Sequence, residues 1–379
     1  MFLSFVRKKQ ISYILIKEDK TMEKVKVAII GCGGIANGKH MPSLKKIEAV
    51  EMVAFCDIIR ERAEKAAKEY GVEGAKVYED FNEMLKNEKL DVVHVCTPNN
   101  VHAPASIAAM EADCHVMCEK PMADNVEHAQ AMLDAQKKTG KKLTIGYQNR
   151  FAAEQRYLHE ACENGELGEI YYAEAEAIRR RAVPTWGVFL DKEAQGGGPL
   201  IDIGTHALDL TLWHMNNYKV KSVKGSVYRK LANQTRTGNA WGDWDPNEYT
   251  AEDSAFGFVT MENGATIVVK SSWAINLADA REAMCVLAGT EAGADCHDGL
   301  RINKVKYGRQ VIEKVACNAS GVAFYDGASE IPADLEAKQW IDAVINDKEP
   351  LVKPEQAFVV TQILEAIYKS AETGKTIEF

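Results

Sequence analysis

The glycines that follow the first apolar run of the chain are its most informative residues. Gly31, Gly33 and Ala36 form a Gly-x-Gly-x-x-Ala pattern, and Asp57 closes a second apolar run twenty-one residues after Ala36. The first glycine permits a tight turn, the second lets the backbone approach a pyrophosphate, and the alanine allows a helix to pack closely on the strand. The acid would accept hydrogen bonds from ribose hydroxyls. The spacing therefore predicts a dinucleotide site.

Asp57 also bears on which dinucleotide is bound. A carboxylate near a 2′-phosphate would oppose it by about 4 kcal/mol for unit charges about 4 Å apart at a protein-like dielectric constant. The sequence therefore favours NAD over NADP. Arg60, three residues further on, keeps NADP open as the alternative.

Two further segments carry residues that could move a proton. Asp202 and His206 stand four residues apart after three consecutive glycines, a spacing that puts them on one face of a helix. Lys120 precedes a proline, which restrains the backbone and gives the lysine a defined direction. Taken alone, the lysine could be an ordinary surface residue, and the Asp/His pair could be a helix-start aspartate and a packed histidine.

The predicted secondary structure of the first half positions these residues. Between residues 24 and 147, short apolar strands alternate with amphipathic helices, which predicts an α/β domain with a doubly wound parallel sheet of the Rossmann type. Ligands of such sheets bind at the carboxyl ends of the strands, so residues 97–102 and Lys120 belong beside the cofactor. The predicted strands are 26–31, 52–57, 77–80, 91–97, 115–121 and 143–148, and the predicted helices are 60–70, 103–112 and 125–138.

After residue 151 the strands become longer and the helices fewer, which predicts a mainly antiparallel sheet with one open face. An open face favours a homo-oligomer: a dimer, a tetramer or a larger assembly. The predicted strands are 170–179, 220–228, 255–261, 266–272 and 284–288, and the predicted helices are 152–163, 200–215, 341–345 and 355–371. Residues 232–250, which contain Trp241 and Trp244, are equally consistent with a binding lid and with a surface or subunit-contact loop.

Four ordered motifs resemble the glucose-fructose oxidoreductase and inositol dehydrogenase family, often called Gfo/Idh/MocA. The resemblance extends from Met22 to the C-terminus. The motifs are the glycine pattern, the segment Thr97-Pro98-Asn99-Asn100-Val101-His102, the segment Glu119-Lys120-Pro121, and the segment from Gly196 to His206.

The resemblance implies an N-terminal Rossmann domain at 24–147, a C-terminal α/β domain with an open, mostly antiparallel sheet at 148–379, and oxidation or reduction of a sugar or cyclitol hydroxyl. It implies a catalytic centre in which His206 is the general base, Lys120 hydrogen-bonds the reacting oxygen and Asp202 orients the site. The predicted NAD-binding residues are Gly31, Gly33, Gly34, Ile35, Ala36, Asp57, Arg60, Thr97, Pro98, Asn99, His102, Glu119, Lys120 and Gln148.

Substrate contacts are expected from two other segments. Gln148 to Phe151 joins the halves and resembles the family segment that faces the cleft, and residues 179–186 add charge and an indole that could stack on a pyranose. The arginines of the second segment could equally be a solvated strand end. The predicted substrate-binding residues are Asn149, Arg150, Arg180, Trp186, Asp202 and His206. Residues 179–209 also resemble the corresponding segment of family members that oxidise the C3 hydroxyl of glycosides. A separate hypothesis is that the Lys120–Pro121 peptide bond is cis.

The composition of the chain excludes several classes of protein. The 379 residues, 46% of them hydrophobic, can form two domains, and a net charge of −9 argues against nucleic acid or an anionic membrane surface as the partner. No run approaches 18 apolar residues, so no membrane span is expected. Nine cysteines without a C-x-x-C pair indicate reduced thiols in a cytoplasmic protein. Cys32, within the glycine turn, is either a turn-filling residue or a redox-sensitive thiol.

The prediction is thus a cytoplasmic, NAD-dependent sugar or glycoside dehydrogenase. A glycosidase that recycles bound NAD and a non-catalytic NAD-binding regulator are the alternatives. A zinc site at Asp202 and His206 is not expected, because no cysteine cluster accompanies them. Residues 1–23 are expected to be a flexible extension, or the product of a start site upstream of a true start at Met22, rather than a signal peptide, because charge interrupts their apolar runs.

Overall fold

The computed structural model describes residues 24–317 and 331–379, so the predicted extension at 1–23 lies outside the described residues. In the first half, strands alternate with helices, as the alternation of apolar and amphipathic segments predicted. Its strands are β1 Val25–Ile30, β2 Val50–Cys56, β3 Lys76–Tyr78, β4 Val92–Val95, β5 His115–Cys118 and β6 Leu143–Ile145. Its helices are α1 Met41–Leu44, α2 Arg60–Tyr70, α3 Phe81–Asn87, α4 Asn99–Glu111 and α5 Val126–Thr139.

The six strands form one parallel sheet in the order β3-β2-β1-β4-β5-β6, which confirms the doubly wound Rossmann prediction. β1 and β4 are completely or almost completely buried because both faces of a parallel sheet are covered by helices. The strand order reverses between β1 and β4. The crevice at their carboxyl ends is where ligands of this fold bind.

The second half begins with a short 3₁₀ turn at Gln148–Phe151 and continues into a larger sheet. Its strands are β7 Ile170–Ile178, β8 Val220–Tyr228, β9 Ser254–Met261, β10 Thr266–Ser272, β11 Met284–Gly289, β12 Ala292–Asp295, β13 Arg301–Lys306, β14 Arg309–Lys314 and β15 Ile377–Glu378. Its helices are α6 Ala153–Glu163, α7 Lys192–Gln195, α8 Thr205–Met215, α9 Pro332–Ile345 and α10 Pro354–Thr373.

Within the described residues this sheet has nine strands in the order β14-β13-β12-β11-β7-β10-β9-β8-β15. Only β7 and β10 pair in parallel, so the predicted mostly antiparallel sheet is confirmed. Helices α8 and α10 pack on one face, where Val223, Val259 and Ile267 are fully buried. The strands alternate buried and accessible residues along their length, which leaves the opposite face open.

Three features of the fold depart from the sequence prediction. Strands β12 to β15 were not predicted, and α9 begins nine residues earlier than the predicted helix at 341–345. Helix α9 also packs on the first half, where Trp340 and Ile341 join a core that contains Met41 and Phe55. The division at residues 147 and 148 therefore stays a prediction, because a helix from the C-terminal part completes the N-terminal core. In the described part of the chain, no helix combines the length and the apolar character that a membrane crossing requires.

Candidate active site

The turn after β1 has the geometry that a dinucleotide requires. Gly31 has φ of +88°, and a Cβ atom there would lie 2.6 Å from the carbonyl oxygen of Cys96, so only glycine fits. Asp57 fixes the same turn, since one carboxylate oxygen accepts a hydrogen bond from the Cys32 amide at 2.8 Å and the other accepts one from the Ile59 amide at 2.9 Å. A Cβ at Gly33 or Gly34 would meet no protein atom within 4 Å, so the space beside these residues is open to a ligand.

The helix that follows this turn runs from residue 34 to residue 44 and contains a π segment at Ala36–His40. The helix that carries the predicted catalytic residues also begins with a π segment, Leu200–Gly204, before α8. Such wide turns occur frequently at functional sites. Cys32 fills the glycine turn as a buried thiol, and burial together with the charge of Asp57 raises its pKa to about 12. A thiol that stays protonated at neutral pH is a poor nucleophile, which favours the turn-filling interpretation.

A cavity of about 780 Å³ runs from the glycine turn to the second half. The predicted site residues that line it are Gly33, Gly34, Ile35, Thr97, Pro98, Asn99, His102, Glu119, Lys120, Trp186 and Asp202. Arg62 and Lys65 of α2 line it as well, although the sequence analysis named only Arg60 from this helix. Their charges suit the pyrophosphate of a dinucleotide, and the helical spacing of the basic residues was the signal that could have found them.

Lys120 and Asp202 meet in this cavity and join the two halves of the chain. The Lys120 ammonium donates hydrogen bonds to the Asp202 carboxylate at 3.0 Å and to its backbone carbonyl at 2.9 Å. Trp273, which is fully buried, donates from its indole nitrogen to the other carboxylate oxygen at 3.0 Å. The Arg179 guanidinium lies 3.9 Å from that same oxygen. The aspartate is thus held from three sides. Trp273 was not predicted as a site residue, and Arg179 belongs to the arginine run from which Arg180 was predicted instead.

Charge controls the protonation of the site. Burial acts to raise the pKa of Asp202, but Lys120 and Arg179 outweigh it and hold that pKa below its ordinary value. Burial and the nearby Lys120 charge lower the pKa of His206 to about 3, so the imidazole is neutral at neutral pH. Its Nδ1 is buried and makes no hydrogen bond to a described residue. His206 packs edge-on against Tyr147, with ring centroids 6.2 Å apart, and does not line the cavity itself.

A buried charge network lies directly behind Lys120. One oxygen of Glu119 contacts the Lys39 ammonium and the His40 ring, both at 2.7 Å, and its other oxygen accepts a hydrogen bond from the Lys120 amide at 3.1 Å. Lys39 also contacts Glu336 of α9 at 2.8 Å. Burial acts to raise the pKa of Glu119, but Lys39 and His40 hold it well below its usual range. The network therefore fixes the backbone that carries the lysine.

His102 and Asn99 hold the two strand-end loops in place. The two His102 ring nitrogens lie 2.8 Å from the Pro121 carbonyl oxygen and 3.0 Å from the Thr97 carbonyl oxygen. The Lys120–Pro121 bond beside this contact is cis, as hypothesised. Asn99 donates to the Gln195 carbonyl at 2.9 Å and so ties the start of α4 to the second half.

Three predicted arginines are not where the sequence analysis put them. Arg150 does not reach the cleft, because its fully buried guanidinium pairs with Asp209, so its prediction as a sugar contact is wrong. Arg60 points to Glu64 and Glu79 on the protein surface rather than into the cavity. The neighbouring Arg179, not the exposed Arg180, approaches Asp202. Gln148 and Asn149 are partly buried, do not line the cavity and stay predictions.

The long segment at 232–250 is anchored at both ends. Trp244 is buried, and its indole nitrogen donates to the Ala232 carbonyl at 2.8 Å. Trp241 contacts Trp186 at the cavity, with ring centroids 5.0 Å apart. The segment therefore contacts a residue that lines the cavity, and the binding-lid and surface-loop interpretations both stay predictions. Among the described residues, no group of three or more His, Cys, Asp or Glu side chains is arranged to hold a metal ion.

Comparison with known proteins gives the same assignment for both halves. Residues 25–147 match the family model for the oxidoreductase family with an NAD-binding Rossmann fold, and residues 155–295 match the GFO/IDH/MocA C-terminal domain. The chain is 36% identical to the D-glucoside 3-dehydrogenase of Escherichia coli (strain K12), over 96% of this chain and 100% of that protein.

Two solved structures share the fold. The aldose-aldose oxidoreductase from Caulobacter crescentus, complexed with glycerol, has a TM-score of 0.76 at 24% identity and matches over 94% of this chain and 100% of its own. A levoglucosan dehydrogenase in complex with NADH has a TM-score of 0.79 at 20% identity, over 94% of this chain and 99% of its own.

Proposed function

The chain belongs to the Gfo/Idh/MocA family of NAD-dependent oxidoreductases, and from this premise we propose that it oxidises the C3 hydroxyl of a D-glucoside to a 3-keto glucoside. The dehydrogenase activity on a CH–OH group follows from the family. The glucoside and the C3 position are the proposal, supported by the similarity to the D-glucoside 3-dehydrogenase over the whole length of that protein.

The observation that carries the proposal is the contact between Lys120 and Asp202 in a cavity that begins at the glycine turn. NAD, held along Gly33, Gly34 and the start of α4, would supply the hydride acceptor. An alcohol placed beside Lys120 would accept a hydrogen bond from its ammonium, which stabilises the negative charge that develops on oxygen. Asp202 keeps the ammonium pointed at this position, because its carboxylate holds the same group at 3.0 Å.

His206 supplies the remaining acid–base function in this proposal. Its imidazole is neutral at neutral pH, so the ring has a lone pair that can accept the hydroxyl proton. The Asp202 carboxylate, one helical turn away, would then stabilise the imidazolium. The charges of Lys120 and Asp202 act on the His206 pKa in opposite directions, so that movement of Lys120 toward a substrate would make the imidazole a stronger base.

The test is turnover of methyl β-D-glucoside with NAD, followed by the absorbance of NADH and by identification of the keto position. We expect Lys120→Met and His206→Asn to lower kcat/KM by about 10² to 10⁴, while Arg180→Ala, which changes an exposed neighbour, serves as the control. Release of free sugar without net NADH would instead identify a glycosidase that recycles its nucleotide. Binding of NAD with no turnover of any glycoside would identify a regulator.

We also infer that copies of the chain assemble through the open face of the second sheet and that the protein works in a reducing compartment such as the cytoplasm. Tyr228 and Phe258, which lie on the same face of the sheet, are 41% and 51% exposed, which is unusual for aromatic residues of a central sheet. All nine cysteines are free thiols. Light scattering of the intact protein checks the assembly, and Phe258→Glu should shift it toward smaller species.

A further inference from the structure

Two half-exposed tryptophans form an apolar corner, and one of them, Trp186, lines the cavity. Trp186 is 52% exposed and Trp241 is 44% exposed, and their rings cross at 75° with centroids 5.0 Å apart. Phe189 packs against Trp186 with ring centroids 5.9 Å apart, and these two rings are also nearly perpendicular. We call these three residues the tryptophan corner. Large apolar rings exposed beside a cavity are typical of a binding surface.

The tryptophan corner is held rigidly, although both indoles lie in irregular segments. Thr185 donates to the Trp241 carbonyl at 2.8 Å, and the Ala240 amide donates to the Arg181 carbonyl at 3.0 Å. Asn239 makes a reciprocal pair with the backbone of Val183, at 2.8 and 3.0 Å. These bonds join residues 239–241 to residues 181–185. The backbone that carries both indoles is therefore fixed before a ligand arrives, which lowers the entropic cost of binding to them.

The corner lies one side chain away from the reacting groups. Arg179 approaches Asp202 at 3.9 Å and at the same time lies over the Trp241 ring, 5.3 Å from its centroid. Phe189 in turn packs edge-on against Trp273, which holds Asp202. A bound molecule that places a hydroxyl beside Lys120 and extends toward Trp186 would thus contact charged donors at one end and an aromatic surface at the other.

We propose that the tryptophan corner binds the aglycone of the substrate and selects glucosides whose aglycone is a planar aromatic ring. This inference rests on the proposed glucoside oxidation. A sugar is matched by the ionic centre of the cavity, whereas two perpendicular indoles match a flat apolar guest, which can stack on one ring and meet the edge of the other. A glycoside that joins a polar ring to an aromatic one fits both parts of the cavity, and a free sugar fits only one.

The test compares phenyl β-D-glucoside with methyl β-D-glucoside in the intact enzyme with NAD. For Trp241→Ala and for Trp186→Ala we expect kcat/KM to fall about 10-fold with the phenyl glucoside, which corresponds to about 1.4 kcal/mol, and to change less than about 2-fold with the methyl glucoside. Trp241→Phe should restore part of the preference because it keeps an aromatic face. Tyr307→Ala removes an aromatic residue that is 94% exposed on the β13–β14 hairpin and is the matched control.

Equal losses with both glucosides would overturn the inference and would show that the indoles stack on the sugar itself. Unchanged kinetics in both tryptophan variants would overturn it as well. Calorimetric titration of phenyl β-D-glucoside into the enzyme with NADH separates the two proposals. If no glucoside is turned over, the proposed function fails, and the titration still shows whether each tryptophan variant weakens phenyl glucoside binding about 10-fold.

Discussion

Arg150 and Asp209 form an ion pair that water does not reach. The guanidinium contacts both carboxylate oxygens, at 2.9 and 2.5 Å, and both side chains are at most 1% exposed. Burial raises the pKa of Asp209 although Arg150 acts in the opposite direction. Arg150 also donates to Gln356 of α10 at 2.7 Å. The pair therefore joins the interdomain 3₁₀ turn to α8 and α10, and its role is structural.

We expect Arg150→Met to lower the free energy of unfolding by about 3–5 kcal/mol, because it leaves the Asp209 charge buried without a partner. Asp209→Leu should cost a similar amount. The double variant should recover much of the loss, since a buried ion pair replaced by apolar residues is often neutral in stability. Urea unfolding of the four proteins measures this, and losses that simply add would contradict the pairing. The KM of the folded fraction should not change.

Some residues of the site could be predicted from the sequence, and others could not. Lys120 and Asp202 were predicted because each stands in a local motif, and local motifs survive folding. Trp273 was missed because it lies 71 residues from Asp202, and only the packing of the π segment Leu200–Gly204 against β10 brings the two together. Arg179 was missed in favour of Arg180 because neighbouring residues at the end of a strand point to opposite sides. That choice needs the register of the sheet.

Helix α9 shows how an element from the C-terminal part supports the nucleotide domain. Two lysines reach it: Lys39, in the helix after the glycine turn, contacts Glu336 at 2.8 Å, and Lys46, two residues beyond the end of that helix, contacts Asp334 at 2.7 Å. The first pair is buried, with side chains 7% and 3% exposed, whereas the Lys46 side chain is 55% exposed. Helix α9 thus makes one buried ion pair and one ion pair with an accessible lysine.

We expect Lys39→Met to destabilise the fold by about 3–5 kcal/mol, because Glu119 and Glu336 would then share a buried site without their common cation. It should also lower kcat, since Glu119 fixes the Lys120 amide. Glu336→Gln should be milder because its amide oxygen can still accept from Lys39. Chemical unfolding and steady-state kinetics on the same preparations measure both effects.

Lys46→Met is the matched control for this prediction, and it should cost at most about 1 kcal/mol because its pair is accessible to water. Equal losses for Lys39→Met and Lys46→Met would show that the buried network contributes nothing beyond an ordinary surface contact. A large loss of stability with kcat unchanged would show that Glu119 does not position the catalytic lysine.

Strands that are buried in the fold were predicted from their apolar sequences, whereas exposed strands were not. β1, β4 and β5 lie in the middle of the parallel sheet and read as continuous apolar runs, so their positions were predicted closely. β13 and β14 form the outer hairpin of the second sheet, and half of their residues are charged. Without a buried face there is no apolar alternation to detect. The contact of α9 with the first half is tertiary, and no local pattern marks it.

At the scale of the whole molecule, the cavity exists only where the two halves meet. Lys120 comes from the parallel sheet and Asp202 from the second half, and their contact is supported by the Asn99 bond to Gln195. The proposed catalysis and the packing of the halves therefore depend on the same residues. This arrangement also buries His206 in its neutral form. The free energy of unfolding of the whole protein therefore depends on keeping this imidazole unprotonated.

We expect this burial to make the protein sensitive to acid. The His206 pKa is about 3 in the folded protein, against an ordinary value of 6.5, so the unfolded chain binds a proton that the folded chain excludes between these limits. Stability from this group is complete above pH 6.5 and is lost as the pH falls toward 3. From pH 8 to pH 5 the loss is about 2 kcal/mol, at about 1.4 kcal/mol per pKa unit.

The comparison of wild type with His206→Asn isolates this contribution, because every other titrating group is present in both proteins. Urea unfolding at pH 8 and at pH 5 should show the variant losing about 2 kcal/mol less stability than the wild type. His128→Asn, which changes a side chain that is 45% exposed, should leave the acid sensitivity nearly intact. Parallel pH profiles for the wild type and His206→Asn would mean that His206 takes up its proton at the same pH in the folded and unfolded protein, and that burial does not lower its pKa.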